Sequence, residues 1–254
     1  MTSAQLLDRL DAIGRALAAR PDALGLLGLG SVGREIERLD AHSDLDFFVI
    51  VRPGAKARYI VSLDWLAAAR PLMWHFRNTV DGHKALTDDG IFCEFAVFEP
   101  QELERVAFAP GRWVWRREDL DPRLAEPQVP LPSPEPPEEP WLVGEALSNL
   151  IVGLQRLARG EQLAAMRLIQ VYALDRLLQL AERRAQGGNR DPFALERRVE
   201  QRHPALRGSL AACVQGYAAS PASALAILDW LQAHCTVPAA VAAHIRRLAD
   251  AAAR

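Results

Sequence analysis

The chain has 254 residues, half of them apolar, which is enough for one large domain or two modest ones with buried cores. Its formal net charge of −2 argues against general nucleic-acid binding, which usually needs a basic excess. The cysteines, Cys93, Cys213 and Cys235, are odd in number and far apart, which argues against a disulfide framework or a structural zinc site. We expect a cytoplasmic protein without membrane contact, because the N-terminal segment lacks the apolar run of a signal peptide and no apolar stretch is long enough to span a bilayer.

The first half of the chain mixes helical and strand patterns. Apolar residues recur at helical spacing from Leu6 to Ala18 and predict an amphipathic helix. Strands are predicted, in chain order, over 23–29, 45–51, 71–78, 83–87 and 91–98, and Pro100 is expected to begin a short helix. These elements predict a small mixed sheet with flanking helices over residues 1–125.

The second half of the chain has a different sequence pattern. Residues 126–140 are rich in proline, which removes backbone donors, so this segment is predicted to be an extended linker. Two apolar stripes at helical spacing, 142–159 and 163–180, are separated by Gly160, and the second is expected to end at Gly187-Gly188. Asp191-Pro192 and Ser220-Pro221 each resemble an N-cap followed by the first helical residue, and Pro238 is expected to begin the last helix. The fold prediction is therefore α+β, with a mixed-sheet domain followed by an all-α bundle over 141–254.

The chemistry is concentrated in two short stretches. Gly28-Leu-Gly-Ser-Val-Gly33 is predicted to end a strand at Gly30 and to begin a short helix at Ser31. The first N–H groups of a helix carry partial positive charge and suit a phosphate. Gly30 allows close approach of the backbone, and the Ser31 hydroxyl adds a donor. The geometry therefore predicts a phosphate site at Gly30 and Ser31.

Three carboxylates accompany this turn. Asp44 and Asp46 are two residues apart on a predicted strand, so their side chains share one face. Paired carboxylates suit Mg²⁺, which keeps waters and substrate phosphates among its ligands. Glu94 lies in the otherwise apolar strand 91–98, where an acid is costly to bury alone. If that strand neighbours the Asp44 and Asp46 strand, Glu94 joins the site as a ligand of a second metal or as a general base.

Gly30-Ser31, Asp44-Leu45-Asp46 and the later Glu94 together resemble the signature of the DNA polymerase β-type nucleotidyltransferase superfamily. The chain also resembles a narrower group, the lincosamide nucleotidyltransferases. The short sequences that carry this resemblance are Asp64-Trp65, Phe92-Cys-Glu-Phe95, Leu147-Ser-Asn-Leu150 and Leu157-Ala-Arg-Gly-Glu161. The wider resemblance implies that Gly30 and Ser31 bind a nucleoside triphosphate, and that Asp44 and Asp46 bind Mg²⁺. The narrower one implies transfer of AMP from ATP to a hydroxyl of a small acceptor such as a lincosamide antibiotic, with the helical domain binding the acceptor. Since related antibiotic-modifying enzymes are often dimers, it is also compatible with a homodimer.

Two alternatives stay open. The acceptor of the AMP group can be a partner protein, as in antitoxin-type nucleotidyltransferases, or the domain can bind nucleotides for sensing without turnover. A dinucleotide-binding interpretation of Gly28-x-Gly30-x-x-Gly33 is disfavoured, because only a short helix follows and the acids begin the next strand.

Several other residues are interpreted as structural. Arg34, His83 and Lys84 are expected to be surface charges, and Trp113 and Trp115 to pack in a core or a domain interface. The polar residues of the bundle are expected to be solvated. The Arg198-x4-His203 spacing, which occurs in helical ribonuclease domains, is interpreted as chance.

Overall fold

The computed structural model describes residues 2–131, 137–185 and 194–252. The chain divides into two compact units, Met1–Pro132 and Ser133–Arg254. The first unit combines a six-stranded sheet with short helices, and the described residues of the second form helices and turns. The predicted α+β class, a mixed sheet followed by a helical region, is confirmed.

The sheet of the first unit is mixed. Its strands are β1 (Ala23–Gly28), β2 (Leu45–Val51), β3 (Leu72–Arg77), β4 (Gly82–Thr87), β5 (Phe92–Phe98) and β6 (Arg112–Arg116), in the order β3-β4-β5-β2-β1-β6. Among the described strand pairs, β2 and β5 are parallel and the other four pairs are antiparallel. The five predicted strands are present, and β6 contains the alternating Trp113 and Trp115.

Helices cover one face of this sheet. They are α1 (Ser3–Ala18), α2 (Lys56–Val61) and α3 (Asp64–Ala67), whereas the short α4 (Pro100–Leu103) places Leu103 in the core of the opposite face. Helix α1 begins at a capping box in which Thr2 and Gln5 exchange hydrogen bonds, which satisfies two amides at the helix start. Its buried stripe of Leu6, Leu10, Ile13 and Leu17 joins the core that contains Phe47 and Trp65.

Strand β2 shows how the two sheet faces differ. Leu45, Phe47 and Val49 are fully buried in the core beneath the helices, whereas Asp46 and Phe48 alternate with them on the opposite face. On that opposite face, the ring of Phe48 packs edge-on against Phe98 and Phe108 in a second, smaller core. The acid therefore stands on the face opposite α1, α2 and α3, which also carries the smaller core.

The two tryptophans of β6 lie at an irregularity in the pairing of β6 with β1. Trp115 pairs with Leu26 and Trp113 with the next residue, Leu27, so the register shifts between them. Trp115 accordingly packs against the core beneath the helices, and Trp113 packs against the smaller core of Phe48. Both are packing residues, as expected.

The second unit is built from α5 (Glu139–Ala158), α6 (Gln162–Arg167), α7 (Leu174–Arg184), α8 (Val199–Arg202), α9 (Arg207–Cys213), α10 (Ser220–His234) and α11 (Ala239–Ala252). A π-helical segment, Leu168–Ala173, joins α6 to α7. Within it the buried Gln170 side chain exchanges hydrogen bonds with the Gly216 backbone and contacts the Ser220 hydroxyl. The apolar stripes of these helices meet in one core, as amphipathic helices in a bundle do.

Some predicted boundaries are shifted. Ser220 is the first residue of α10 rather than its N-cap, which is Ala219. Helix α5 begins at Glu139, so the predicted linker 126–140 overlaps its start. Gly187-Gly188 and Asp191-Pro192 lie outside the described residues. Across the parts of the chain that the structure describes, we find no helix with the length and apolar character needed to cross a membrane.

Candidate active site

The backbone register brings two of the predicted acids together. Parallel strands β2 and β5 pair Asp46 directly with Glu94, and antiparallel β4 pairs Lys84 with Glu94. Residues that are directly paired on adjacent strands project from the same face of a sheet. Asp46, Glu94 and Lys84 therefore form one row across three strands, on the face opposite the helices.

Asp44 lies one residue before β2 and two before Asp46, and both acids are half-buried. Their charges act on the buried thiol of Cys93, which pairs with Leu45 between them. Burial raises the pKa of this thiol to about 12, and the negative charges of Asp44 and Asp46 act in the same direction. The two carboxylates thus concentrate negative charge at the start of β2.

The glycine turn contacts this acidic strand. Leu29 donates its backbone N–H to the carbonyl of Asp46, with 2.8 Å between nitrogen and oxygen. The next residue, Gly30, has a φ of +50°, which L side chains rarely adopt. A Cβ at Gly30 would lie 3.8 Å from Oδ2 of Asp46, so the turn and the carboxylate are in van der Waals range. The Gly30 backbone and the Asp46 carboxylate are therefore neighbours.

The short helix predicted to begin at Ser31 is replaced by two separate 3₁₀ turns. Gly30–Val32 forms a single 3₁₀ turn, and a second one, Ile36–Arg38, follows after a break. The chain folds back on itself at Gly33, where a Cβ would lie 2.7 Å from the carbonyl oxygen of Gly28. A Cβ at Gly28 would in turn lie 2.5 Å from the oxygen of Val32, so this compact turn requires both glycines. Their spacing reflects the packing of the turn on itself.

The Glu94 carboxylate is held by two neighbours. Its Oε2 lies 3.0 Å from Nζ of Lys84, and its Oε1 accepts a hydrogen bond of 3.3 Å from Nδ2 of Asn78. Its side chain is 42% exposed, so solvent reaches it. Within the described ranges, no group of three or more His, Cys, Asp or Glu side chains is placed to hold one metal ion. As the side chains stand, Glu94 faces Lys84 and Asn78.

Lys84 and His83 differ from the expectation of plain surface charges. Lys84 is the ion-pair partner of Glu94, and His83 is buried with only 5% exposure. The His83 ring donates from Nε2 to the carbonyl of Ile60 at 3.0 Å and stacks on Phe95. Burial lowers the pKa of His83, and the hydrogen bond to Ile60 opposes that shift. His83 is therefore a packing residue, whereas Lys84 belongs to the site.

The position of Lys84 was available from the sequence. Strands β4 and β5 are joined by a tight turn containing Asp88, Asp89 and Gly90, the last with a φ of +86°. A hairpin folded symmetrically about Asp89 pairs Ala85 with Cys93, and so Lys84 with Glu94. The missing step was to treat the two strands as a hairpin.

An open cavity of about 450 Å³ lies beside the glycine turn. It is lined by Arg34, Gly111, Arg112, Trp113, Pro122, Arg123, Ala125 and Glu126. Arg112 donates to the carbonyls of Val32 and Gly33, and Arg34 donates to that of Gly111 while pairing with Glu126. These guanidinium groups brace the turn and place positive charge next to it.

Several polar residues of the helical unit have partners within the bundle. Arg167 donates to the hydroxyl of Tyr172, and Gln170 holds the Gly216 backbone. His203 is buried and lies 2.9 Å from Glu182, which also pairs with Arg202. Burial and the charge of Arg202 lower the pKa of His203. The Arg198-x4-His203 spacing thus ends in a buried ionic cluster of the bundle.

Comparison with models of known protein families and with curated proteins finds no match. Among solved structures, an aminoglycoside 6-adenyltransferase from Bacillus subtilis aligns over 97% of this chain and 98% of its own. The TM-score is 0.36 and the sequence identity 12%. A likeness at this level supports no inference about the present chain, so the functional assignment depends on the site itself.

Proposed function

We propose that this chain is a nucleotidyltransferase that transfers a nucleoside monophosphate, AMP from ATP in the simplest case, to a hydroxyl group of a small molecule. The observation that carries the proposal is the pairing of Asp46 with Glu94 on adjacent parallel strands, with the Gly30 turn in contact with Asp46. The glycine turn, the aspartates and Glu94 each have a distinct role in such a reaction.

The glycine turn is the proposed triphosphate site. Gly30 leaves its backbone open to a ligand, and the Ser31 hydroxyl can donate to a phosphate oxygen. Arg112 adds positive charge on the neighbouring side of the turn, whereas Arg34 is paired with Glu126. Together these groups favour the polyanionic end of a nucleotide next to the acidic strand.

Asp44 and Asp46 are the proposed magnesium ligands. One or two carboxylates together with substrate phosphates are a usual ligand set for Mg²⁺. Asp46 lies beside the glycine turn that is proposed to hold the phosphates, and Asp44 lies two residues before Asp46. When bound, Mg²⁺ would offset the charge of the triphosphate and of the leaving pyrophosphate. Without a cation, the excess of carboxylates would repel the nucleotide.

Glu94 is the proposed general base. A carboxylate has about four lone-pair sites, so contacts with Lys84 and Asn78 leave room for a substrate hydroxyl. Glu94 accepts the proton as the hydroxyl oxygen forms a bond to the α-phosphorus. The bond between that phosphorus and the bridging oxygen breaks, and pyrophosphate leaves with the electron pair.

The test is transfer by the full-length protein with Mg²⁺ and ATP, using a panel of lincosamides, aminoglycosides and simple hydroxyl compounds. Mass spectrometry detects AMP adducts, and pyrophosphate release confirms the stoichiometry. We expect an adduct on a small molecule, and a loss of at least about a thousandfold in Asp46→Asn. Asp119→Asn, an exposed acid in an ion pair with Arg52, is the matched control and should retain activity.

Two outcomes would redirect the proposal. An adduct on a co-expressed protein, lost in Asp46→Asn, would move the acceptor from a small molecule to a protein side chain. ATP binding without any adduct or pyrophosphate release would contradict the transfer reaction and favour nucleotide sensing. Equal activity of Asp46→Asn and the parent would remove the proposed metal site.

A further inference from the structure

Strand β3 presents an exposed aromatic pair at the edge of the sheet. Trp74 and Phe76 are 48% and 43% exposed, and their ring centroids lie 5.0 Å apart. Large apolar side chains that share an exposed patch often mark a binding surface. We call Trp74 and Phe76 the aromatic platform.

The aromatic platform shares a sheet face with the candidate active site. The strand register pairs Phe76 with Lys84, Lys84 with Glu94, and Glu94 with Asp46. His75, between the two aromatics, faces the other way and contacts the buried His83 with ring centroids 6.1 Å apart. The platform and the acids therefore belong to one continuous row of side chains.

Strand spacing sets the length of a ligand that would span them. Neighbouring strands lie about 4.8 Å apart, so the Phe76 backbone is about 10 Å from that of Glu94 and about 15 Å from that of Asp46. Glu94 stands on the platform side of Asp46, and the glycine turn stands on the far side, after β1. With a nucleotide bound at the glycine turn, the part of the site nearest β3 would remain available to the acceptor.

We propose that the aromatic platform binds an aromatic or flat apolar ring of the acceptor, while a hydroxyl of the same molecule reaches Glu94. This inference rests on the proposed nucleotidyltransferase function and specifies its acceptor class. The acceptor carries a ring at one end and a hydroxyl roughly 10 Å away. A sugar without such a ring lacks the group that the platform recognises.

The size of the platform favours a small molecule over a second copy of the chain. Two aromatic side chains that are about half exposed offer roughly 200 Å². A stable protein interface buries about 800 Å² on each partner, so the platform alone is too small. Stacking on one or two rings is, however, enough to improve the affinity of a small ligand about tenfold.

The experiment compares two probes that share their sugar hydroxyls, phenyl β-glucoside and methyl β-glucoside. Their dissociation constants are measured by calorimetry on the full chain with Mg²⁺ and a non-hydrolysable ATP analogue. We expect the phenyl compound to bind at least about fivefold more tightly to the parent, with no preference in Trp74→Ala. Trp74→Phe should restore the preference. His75→Ala should keep it, because His75 lies between the two aromatic residues but faces the other side of the sheet.

The opposing results are equally definite. Equal affinities in the parent, no binding of either probe, or a preference that survives in Trp74→Ala would overturn the inference. So would a dimer of the parent that dissociates in Trp74→Ala, because the platform would then be an interface between copies. Asp46→Asn separates the two proposals: it should lose transfer and keep the phenyl preference. A preference without transfer in the parent would refute the proposed reaction alone.

Discussion

Two groups of ionised side chains, one in each unit, differ in burial and in charge balance. In the helical unit, Glu182, Arg202 and His203 have side-chain exposures of 12%, 12% and 8%. In the sheet unit, Lys84 and Glu94 are 35% and 42% exposed, and Glu94 pairs with Asp46 on the adjacent strand. The helical group sets one carboxylate against one guanidinium, whereas the sheet group places two carboxylates, Asp46 and Glu94, as direct neighbours on adjacent strands. A buried, balanced group stabilises a fold, and a more exposed group with neighbouring carboxylates is suited to a cation and a ligand.

The largest expected effect on stability comes from breaking the balanced group. Glu182→Gln removes the carboxylate that faces Arg202 and His203, and leaves a buried guanidinium without its counter-charge. We expect a loss of about 3 kcal/mol in the free energy of unfolding, measured by urea denaturation. Glu138→Gln is the control, since Glu138 is 81% exposed in its pair with Arg183 and should cost less than about 1 kcal/mol. Equal losses in the two variants would contradict the distinction between buried and exposed ion pairs.

Glycines provide a second comparison between the two units. Gly33→Ala places a Cβ 2.7 Å from the oxygen of Gly28 and 2.8 Å from the Leu29 backbone, which have no flexible side chain to yield. We expect a loss of about 1 to 3 kcal/mol in stability and displacement of the turn from Asp46, with a corresponding loss of ATP affinity.

Gly144→Ala is the matched substitution in α5, where a Cβ meets nothing within 4 Å. Because alanine is the better helix former, this variant should gain about 0.5 to 1 kcal/mol. Urea unfolding and calorimetric ATP titration measure both variants. If Gly33→Ala leaves stability and ATP affinity unchanged, the turn can accommodate the added Cβ, which would contradict this prediction.

A smaller effect on stability, but a clear one on activity, is expected from Lys84→Met. The ion pair with Glu94 is half exposed, so its loss should cost less than about 1 kcal/mol. Transfer should fall about tenfold or more, because Glu94 loses the contact that orients its Oε2. Arg52→Met breaks a similarly exposed pair with Asp119 away from the site and is the control. Comparable activity in the two variants would separate Lys84 from catalysis.

The sequence predicts most of this fold because local pattern and burial agree. Alternation in β2 places Asp46 opposite the buried Leu45 and Phe47, and the apolar stripe of α1 identifies its buried face. The local turn was harder to predict, because the length of a helix after Gly30 depends on contacts between Gly28 and Gly33 that periodicity does not record.

Partners across the sheet were also missed. The strand order β3-β4-β5-β2 is a long-range property, and it decides that Lys84 and the aromatic platform share a row with Glu94 and Asp46. From residue type alone, the adjacent residues His83 and Lys84 were both expected to be surface charges. Strand alternation separates them, with His83 under the helices and Lys84 on the opposite face.

The last prediction concerns the pH dependence of the helical unit. Burial and the charge of Arg202 lower the pKa of His203 below its usual 6.5, so the folded state holds this ring neutral more firmly than the unfolded state does. The contribution of His203 to stability is therefore complete above pH 6.5 and is lost as the pH falls from there through the folded-state pKa. One such proton gives a slope of at most about 1.4 kcal/mol per pH unit.

His203→Gln should flatten the decline in unfolding free energy between pH 7.5 and 5.5, measured by urea denaturation at several pH values. His83→Gln is the parallel variant in the sheet unit, since burial also lowers the pKa of His83, and its effect should have the same sign. The contact of 2.9 Å between His203 and Glu182 makes the opposite result informative. If the parent gains stability on acidification and His203→Gln does not, His203 is protonated in the fold and pairs with Glu182. The helical group would then carry excess positive charge, and the contrast with the acidic group on the sheet would be one of sign as well as burial.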